Sequence, residues 1–318
     1  MLETPRNWRL GIIFSLITVA CWGVLVLALK VMLQVLDPAT LIWFRFLFSA
    51  LALTVYVAWQ QQMPNRWSAV PWGTLAIAVV FLSGNYWLFL LGVQATTPNN
   101  AQILIQLAPM LLGLFSLWWF KEKYSLWQWL GVGILILGLI LFSHSQVLGL
   151  VTTLSTYLWG NTILIFGALS WAIYGIAQKQ LLRHYVSPVV MWGLYTGATL
   201  LFTPFAHPQQ LLSLSPFFWA ILLFCAANTV VAYGSFAAAL EHWEASRVSA
   251  VLVLVPLITL IASAVLPNFF PTLIPPEPLT LSGVIGALLV VLGSLLTALA
   301  KHNSRQPPLK PKPESSNQ

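Results

Sequence analysis

Residues Glu122 to Gly138 read EKYSLWQWLGVGILILG, and Glu277 to Gly293 read EPLTLSGVIGALLVVLG. Each stretch sets a carboxylate ahead of an unbroken apolar run. A membrane-spanning strand needs about 10 residues of alternating character, and a spanning helix about 20 of continuous apolar character. These runs do not alternate, so they are helices. The rest of the chain extends the pattern: of 318 residues, 59% are hydrophobic and only 7% charged, against roughly 25% charged in a soluble domain. A soluble fold needs polar surface to cover its core. A bilayer accepts apolar surface, provided backbone groups are bonded internally. The fold class that follows is an all-α membrane protein.

Apolar stretches bounded by charge, proline or polar clusters predict ten transmembrane helices, over residues 10–29, 40–59, 72–93, 99–120, 126–142, 157–177, 189–206, 217–240, 245–266 and 279–300. The first follows Arg6 and Arg9 in the manner of a secretory signal, but it is too long and has no small-residue cleavage site before Lys30, so it is expected to be a retained helix. The connections are short, which leaves function to the space between helices. Residues 1–9 form a short leading segment. Residues 301–318, KHNSRQPPLKPKPESSNQ, are polar and proline-rich and are expected to be disordered.

Placing the N-terminus in the cytoplasm puts Arg6, Arg9, Arg66, Lys121, Lys123, Lys179, Arg183, Arg247, Lys301, Arg305, Lys310 and Lys312 inside, and only Lys30 outside. This asymmetry predicts both termini in the cytoplasm and a multi-pass protein of the plasma (inner) membrane. The net charge of +7 therefore reflects membrane orientation, and no nucleic-acid partner is expected. Tryptophans such as Trp59, Trp67, Trp72, Trp118, Trp119, Trp127 and Trp129 fall at span ends, where indoles anchor to the interface.

The two halves of the chain repeat each other. WGVLVLALK (Trp22 to Lys30) matches WAIYGIAQK (Trp171 to Lys179), and DPATL matches SPVVM. Tyr86 pairs with Tyr233, Ala101 with Val248 and Pro109 with Pro256 at an offset of 147 residues, whereas the two opening stretches pair at 155. An eight-residue insertion in LPNFFPTLIPP accounts for the change. Residues 10–142 and 157–300 are thus two five-helix repeats. Five is odd, so the second enters the membrane inverted relative to the first. Inverted repeats are an architecture of transporters, because two mirrored arrangements alternately expose one central site.

On these residues the chain resembles the EamA-type transporters of the drug/metabolite transporter superfamily. The resemblance rests on Trp22-Gly23 and Lys30, Pro38 followed by Arg45, Ala108-Pro109, and Glu122 ahead of LGVGILILG. In the second half it rests on Trp171, Pro188, Pro256 and GVIGALLVVLG. It implies a ten-helix exporter or facilitator of amino acids and other metabolites. The chain departs from the pattern in Trp171-Ala172 for Trp-Gly, in Tyr195 where the first half has Arg45, and in the insertion.

Candidate substrate-binding residues follow from polarity inside the spans. Asn99, Gln102 and Gln106 recur at helical spacing with Pro109, and their repeat counterparts are Ser246, Ser249, Val253 and Pro256. A polar stripe turned to lipid costs several kcal/mol, so it should face the interior, either lining a cavity or bonding between helices. Pro109 and Pro256 each remove a helix hydrogen bond and are expected to bend their helices, freeing the carbonyls of Ile105 and Leu252. Trp171, Tyr174 and Gln178 share one helix face, and Ser15, Thr18 and Trp22 another. With Asn85, Tyr86, Asn228 and Tyr233 they offer an aromatic, hydrogen-bonding pocket, or simply packing. Arg45 is the only charge well inside a span, about 8 Å along the helix from Thr40. It either snorkels or binds an anionic group with its planar fork.

The chain carries no GxSxG, HExxH or P-loop and no paired membrane carboxylates, so catalysis is not expected. Cys21 and Cys225 read as buried small hydrophobes. The five histidines are scattered, so neither a metal nor a cofactor is expected. Glu122 reads as a helix-start anchor and Lys30 as a C-terminal one. All seven acidic residues lie at loops, tails or span ends, which points to facilitated diffusion or exchange. The expected partners are a small-molecule substrate and the lipid bilayer. Efflux of drug-like compounds, a membrane-embedded enzyme and a channel-like or structural protein are the competing readings. The charge asymmetry predicts that a cysteine placed at Ser304 stays unreactive towards an impermeant thiol reagent in intact cells. Labelling from outside overturns that orientation.

Overall fold

The computed structural model describes residues 7–62, 70–119, 125–148, 154–242, 248, 251–277 and 280–299. The described residues form helices and no strands. In chain order these are α1 (Trp8–Met32), α2 (Pro38–Trp59), α3 (Trp72–Ala95), α4 (Pro98–Leu104), α5 (Leu107–Trp119), α6 (Leu126–Leu148), α7 (Leu154–Leu181), α8 (Ser187–Phe202), α9 (Gln209–Leu212), α10 (Pro216–His242), α11 (Val255–Val265) and α12 (Leu281–Leu299). Six of them, α1, α2, α3, α6, α7 and α10, are long and apolar enough to cross a membrane. Their outward faces are greasy: Leu51 is 59% exposed, Val55 71% and Ile140 62%. Water does not tolerate so much contiguous apolar surface; lipid does. This is a membrane protein.

The remaining predicted spans are shorter or interrupted. The stretch expected as one helix over 99–120 is two, with a turn at Ile105 and Gln106. Pro109 cannot donate to the carbonyl four residues back, so the ladder breaks just before it and Pro109 sits in the first turn of α5, where a missing N–H costs nothing. The Ile105 carbonyl is nonetheless not free, because it accepts the Ala108 amide at 2.8 Å. The second half does the same, with a turn at Val253 and Leu254 and Pro256 in the first turn of α11. Pro109 faces outward, whereas Pro256 is buried.

Helix ends follow local chemistry. Asp37 caps α2, accepting the Thr40 amide at 3.0 Å and the Thr40 hydroxyl at 2.6 Å, with Pro38 pre-set in the first turn. Helices from the first half of the chain pair with helices from the second: α1 with α10 and α11, α2 with α8, α3 and α5 with α7, and α6 with α12.

The α6–α12 pair is the closest. A Cβ on Gly138 would lie 2.6 Å from the Val290 amide nitrogen and 2.7 Å from the Gly286 carbonyl oxygen. One on Gly131 would lie 2.7 Å from the Gly293 oxygen. The two backbones therefore touch, as small residues permit inside a membrane. We expect Gly138→Leu to force the helices apart and destabilise the protein by about 3 kcal/mol or more. Gly133→Leu, at a position where an added Cβ meets nothing within 4 Å, should leave thermal stability unchanged. Equal losses in the two variants would remove the seam from the account.

Candidate functional site

Arg45 lies one-third of the way along α2 and is 3% exposed. A charge in an apolar interior is costly unless it is paired. Among the described residues no carboxylate pairs with it. Its partners are instead the Thr229 hydroxyl on α10, which accepts from Nε at 3.3 Å and Nη2 at 3.1 Å, and the Tyr86 ring on α3, whose centroid lies 5.0 Å from the guanidinium carbon. The aromatic face supplies an attraction on the order of 2 kcal/mol when desolvated.

An aromatic cluster continues from this point. Phe46 packs on Tyr86 at 4.6 Å between ring centroids and on Tyr195 at 5.6 Å. Tyr233 meets Tyr195 at 6.4 Å and Trp22 at 5.4 Å. Side chains from α1, α2, α3, α8 and α10 thus converge on one centre. Tyr174, beside Trp171 at 6.4 Å, adjoins it from α7. The buried Tyr195 hydroxyl has no hydrogen-bond partner, although a buried polar group ordinarily has one. A guanidinium, an unpaired phenol and several ring faces can together take a small solute with an anionic group and an apolar body.

Other candidates lie elsewhere. Asn85 donates to the Gly167 carbonyl of α7 at 2.9 Å, and Asn228 to the Cys21 carbonyl of α1 at 2.8 Å. Each staples two helices. Gln178 lies against the Met191 sulfur at 3.2 Å. Gln102 is buried, Gln106 sits in the turn between α4 and α5, and Asn99 is on the far end of α4, so the expected stripe is divided by the helix break. Glu122, Ser246 and Ser249 lie outside the described residues. Tyr195 and Thr229 were not among the candidates. The signal for Tyr195 was present in its position as the counterpart of Arg45, whereas nothing in the sequence singles out Thr229.

A second polar cluster closes one end of the bundle. Lys30 donates to the carbonyls of Val93, Gln94 and Thr96 at 2.7, 3.1 and 2.9 Å, bonding the C-terminal end of α3 and not its own helix. Asn99 is wholly buried. It donates to Ser263 at 2.8 Å and to the Glu277 carboxylate at 2.8 Å. Asn100 donates to Asn161 at 2.6 Å and accepts from Tyr157 at 2.9 Å. The sequence placed Glu277 at a solvated span end, but the structure buries it partly against α4. Burial pushes its carboxyl above the usual range, opposed by hydrogen bonds from Thr97 and Asn99 and by the charge of Lys30. A groove of about 440 Å³ between α3 and α8 is lined by apolar groups such as Leu75, Val79 and Val189. It suits a lipid chain better than a polar solute. Among the described residues no cluster of His, Cys, Asp or Glu could hold a metal ion.

Comparison with known proteins places the chain in a family. Residues 9–144 and 158–299 each match the EamA-like transporter family. The chain is 35% identical over 297 residues to the inner membrane transporter YhbE of Escherichia coli K12, covering 91% of each. It is also 35% identical over 291 residues to a transporter of Haemophilus influenzae, covering 91% of this chain and 95% of that protein. A "Probable amino-acid metabolite efflux pump" of Salmonella typhimurium is 25% identical over 295 residues, covering 88% and 91%. One solved structure superposes with a TM-score of 0.63 at 16% identity, over 92% of this chain and 98% of the other, which shows a shared fold.

If Thr229 is the buried partner of Arg45, its removal leaves the guanidinium short of an acceptor. Thr229→Val is therefore expected to cost about 1–3 kcal/mol in an unfolding titration. The same change in an Arg45→Met background should cost much less. Additive losses would show that the two side chains do not act together.

Proposed function

The chain belongs to the EamA-like transporter family, and from that premise we propose that it is an alternating-access carrier of small amphipathic metabolites, amino acids first, exporting them across the inner membrane. Like its relatives it is a transporter and not an enzyme. The observation that carries the reading is the desolvated Arg45, held without a carboxylate beside the Tyr86, Tyr195, Tyr233 and Trp22 rings. A substrate carboxylate fits the guanidinium fork, and an apolar side chain fits the rings.

The architecture we infer is ten spans in two inverted five-helix repeats, 10–142 and 157–300, with both ends cytoplasmic. Several facts support it. The family matches twice, once over each half. The first helix of each half packs on the third of the other, α1 on α10 and α3 on α7, and each first helix also meets the other half's fourth. The second helices pair with each other, and so do the fifth. Exchanging the halves leaves this pattern unchanged, as a twofold axis in the membrane plane requires. The glycine seam obeys the same exchange: Gly131 meets Gly293 and Gly138 meets Gly286, each the other pair's counterpart. Bends at Pro109 and Pro256 recur in both halves and give two places where a helix can pivot.

The name of the Salmonella relative supports amino-acid metabolites as the first substrates to try. In proteoliposomes preloaded with unlabelled L-amino acids, counterflow of a labelled one is expected without an imposed gradient. Arg45→Lys should reduce it, and Arg45→Gln should reduce it at least tenfold, with folded yield unchanged. Undiminished counterflow in Arg45→Gln would falsify the role of the guanidinium, and no counterflow with any amino acid in the parent protein removes that substrate class.

A further inference from the structure

The eight-residue insertion of the second half falls in the stretch from Leu266 to Pro276, where the chain makes a short 3₁₀ turn (Leu266–Asn268) and a series of tight turns before Glu277. It has no counterpart in the first half, so it distinguishes one end of the bundle from the other. It is tied down at three points. Gln34, just beyond α1, donates to the Leu273 carbonyl at 2.8 Å. The Phe270 ring lies 6.3 Å from that of Phe217 on α10. Glu277 holds Asn99 of α4, with the Lys30 charge on α1 attracting it. One turn along α1 from Lys30, Val26 joins a packed apolar layer with Val93, Ala101, Leu104 and Leu164. Trp22 is eight residues deeper than Lys30 on α1, about 12 Å at helical rise.

We propose that residues 266–277 are a gate across this end of the bundle, latched by the Glu277 side chain on Asn99, which opens when α4 swings away on the turn at Ile105 and Gln106. The mechanical parts are all present. α4 is seven residues long and separated from α5 by the break that Pro109 imposes, so it can tilt without unfolding a full span. Its polar attachments to α11 and to the strap run through Asn99, and its apolar contact with α11 is side-chain packing of Ile103 near Leu260, not interlocked backbone like the α6–α12 seam. Hydrogen bonds of this kind between helices inside a membrane are weak enough to exchange.

The latch also responds to pH. Burial raises the carboxyl's proton affinity while the gate is shut, and opening returns it to water. The closed state therefore binds the proton more tightly, so acid favours closure and rising pH loosens it. Lys30 on α1 acts in the opposite sense. Tyr157 on α7 is titratable and bonds Asn100, and Asp37, in the turn after α1, lies 3.4 Å from His207 at the same end. Thr97, Asn99 and Ser263 are uncharged.

The inference rests on the carrier reading only for what the gate covers, and its test needs no transport. In the full-length protein in detergent, with Cys21→Ser and Cys225→Ser, Val26→Cys places a thiol in that apolar layer. Reaction with a polar maleimide should be slow, and Glu277→Ala should speed it at least tenfold. Glu277→Gln keeps an oxygen acceptor for Asn99 and should hold the slow rate. Between pH 5 and 8 the rate of the Glu277 protein relative to the Glu277→Gln protein should rise at least threefold; the ratio removes the thiol's own titration. A folded Glu277→Ala protein that reacts at the parent rate overturns the gate. If that variant fails to fold, Asn99→Ala removes the other partner of the latch, and a parent rate in that variant overturns the gate instead. Either result leaves the counterflow experiment standing, and absent counterflow with a responsive latch removes amino acids as substrates and keeps the gate.

Discussion

Inside a bilayer there is no water to satisfy a polar side chain, so those buried in this bundle turn to a carbonyl of their own helix, as Ser15 and Thr199 do, or to a partner on a neighbouring helix. That constraint organises the interior. Asn85 reaches from α3 to α7 and Asn228 from α10 to α1. Ser170 donates from α7 to the Phe81 carbonyl of α3 at 2.7 Å, and Thr259 from α11 to the Gly23 carbonyl of α1 at 2.8 Å. Every one of these bonds joins the first half of the chain to the second. Arg45 is the extreme case, because a guanidinium has five donors and the Thr229 hydroxyl engages only two of its nitrogens. The residue with most left to satisfy is the one that a ligand can satisfy.

The bundle combines a stiff part with a deformable one. Along α6 and α12 the helix backbones touch at four glycines, so no sliding or tilting is possible without a clash. Along α4, α5 and α11 the backbone is broken next to prolines, and α4 and α11 are joined by the Asn99–Ser263 hydrogen bond as well as by apolar packing around Ile103 and Leu260. A carrier needs both kinds of contact: fixed surfaces to keep the halves together, and hinged segments to expose a centre first on one side and then on the other. The aromatic cluster around Arg45 lies between the halves, formed by α1, α2 and α3 from one and α8 and α10 from the other.

Much of the frame was legible in the chain itself. Continuous apolar runs specified helices, and six of the described ones are long enough to span. Trp59, Trp72, Trp127 and Trp129, expected as interfacial anchors, are all exposed at helix ends. Arg45 stood out because it is the only charge inside a span. The polar stripe of Asn99, Gln102 and Gln106 was read as one helix face, yet the break before Pro109 turns it into two separate settings. Asn85 and Asn228 looked like pocket residues from their type alone. Their bonds to backbone carbonyls across helix pairs give them another task, and no sequence pattern reports the carbonyl opposite.

What the sequence determined by itself was therefore whatever depends on local composition: helical class, membrane environment, internal repetition, and the proline positions where a helix must break. Hydropathy and backbone geometry act over a turn or two of chain, so they can be read along it. What only the tertiary structure decided was which polar groups meet. Glu277, at a span end by sequence, is folded against Asn99 from a helix 178 residues earlier. Thr229 lies under Arg45 across 184 residues, and the Tyr195 hydroxyl is left without a partner. Desolvation and hydrogen bonding depend on distance in space, and that distance is fixed only once the helices have packed.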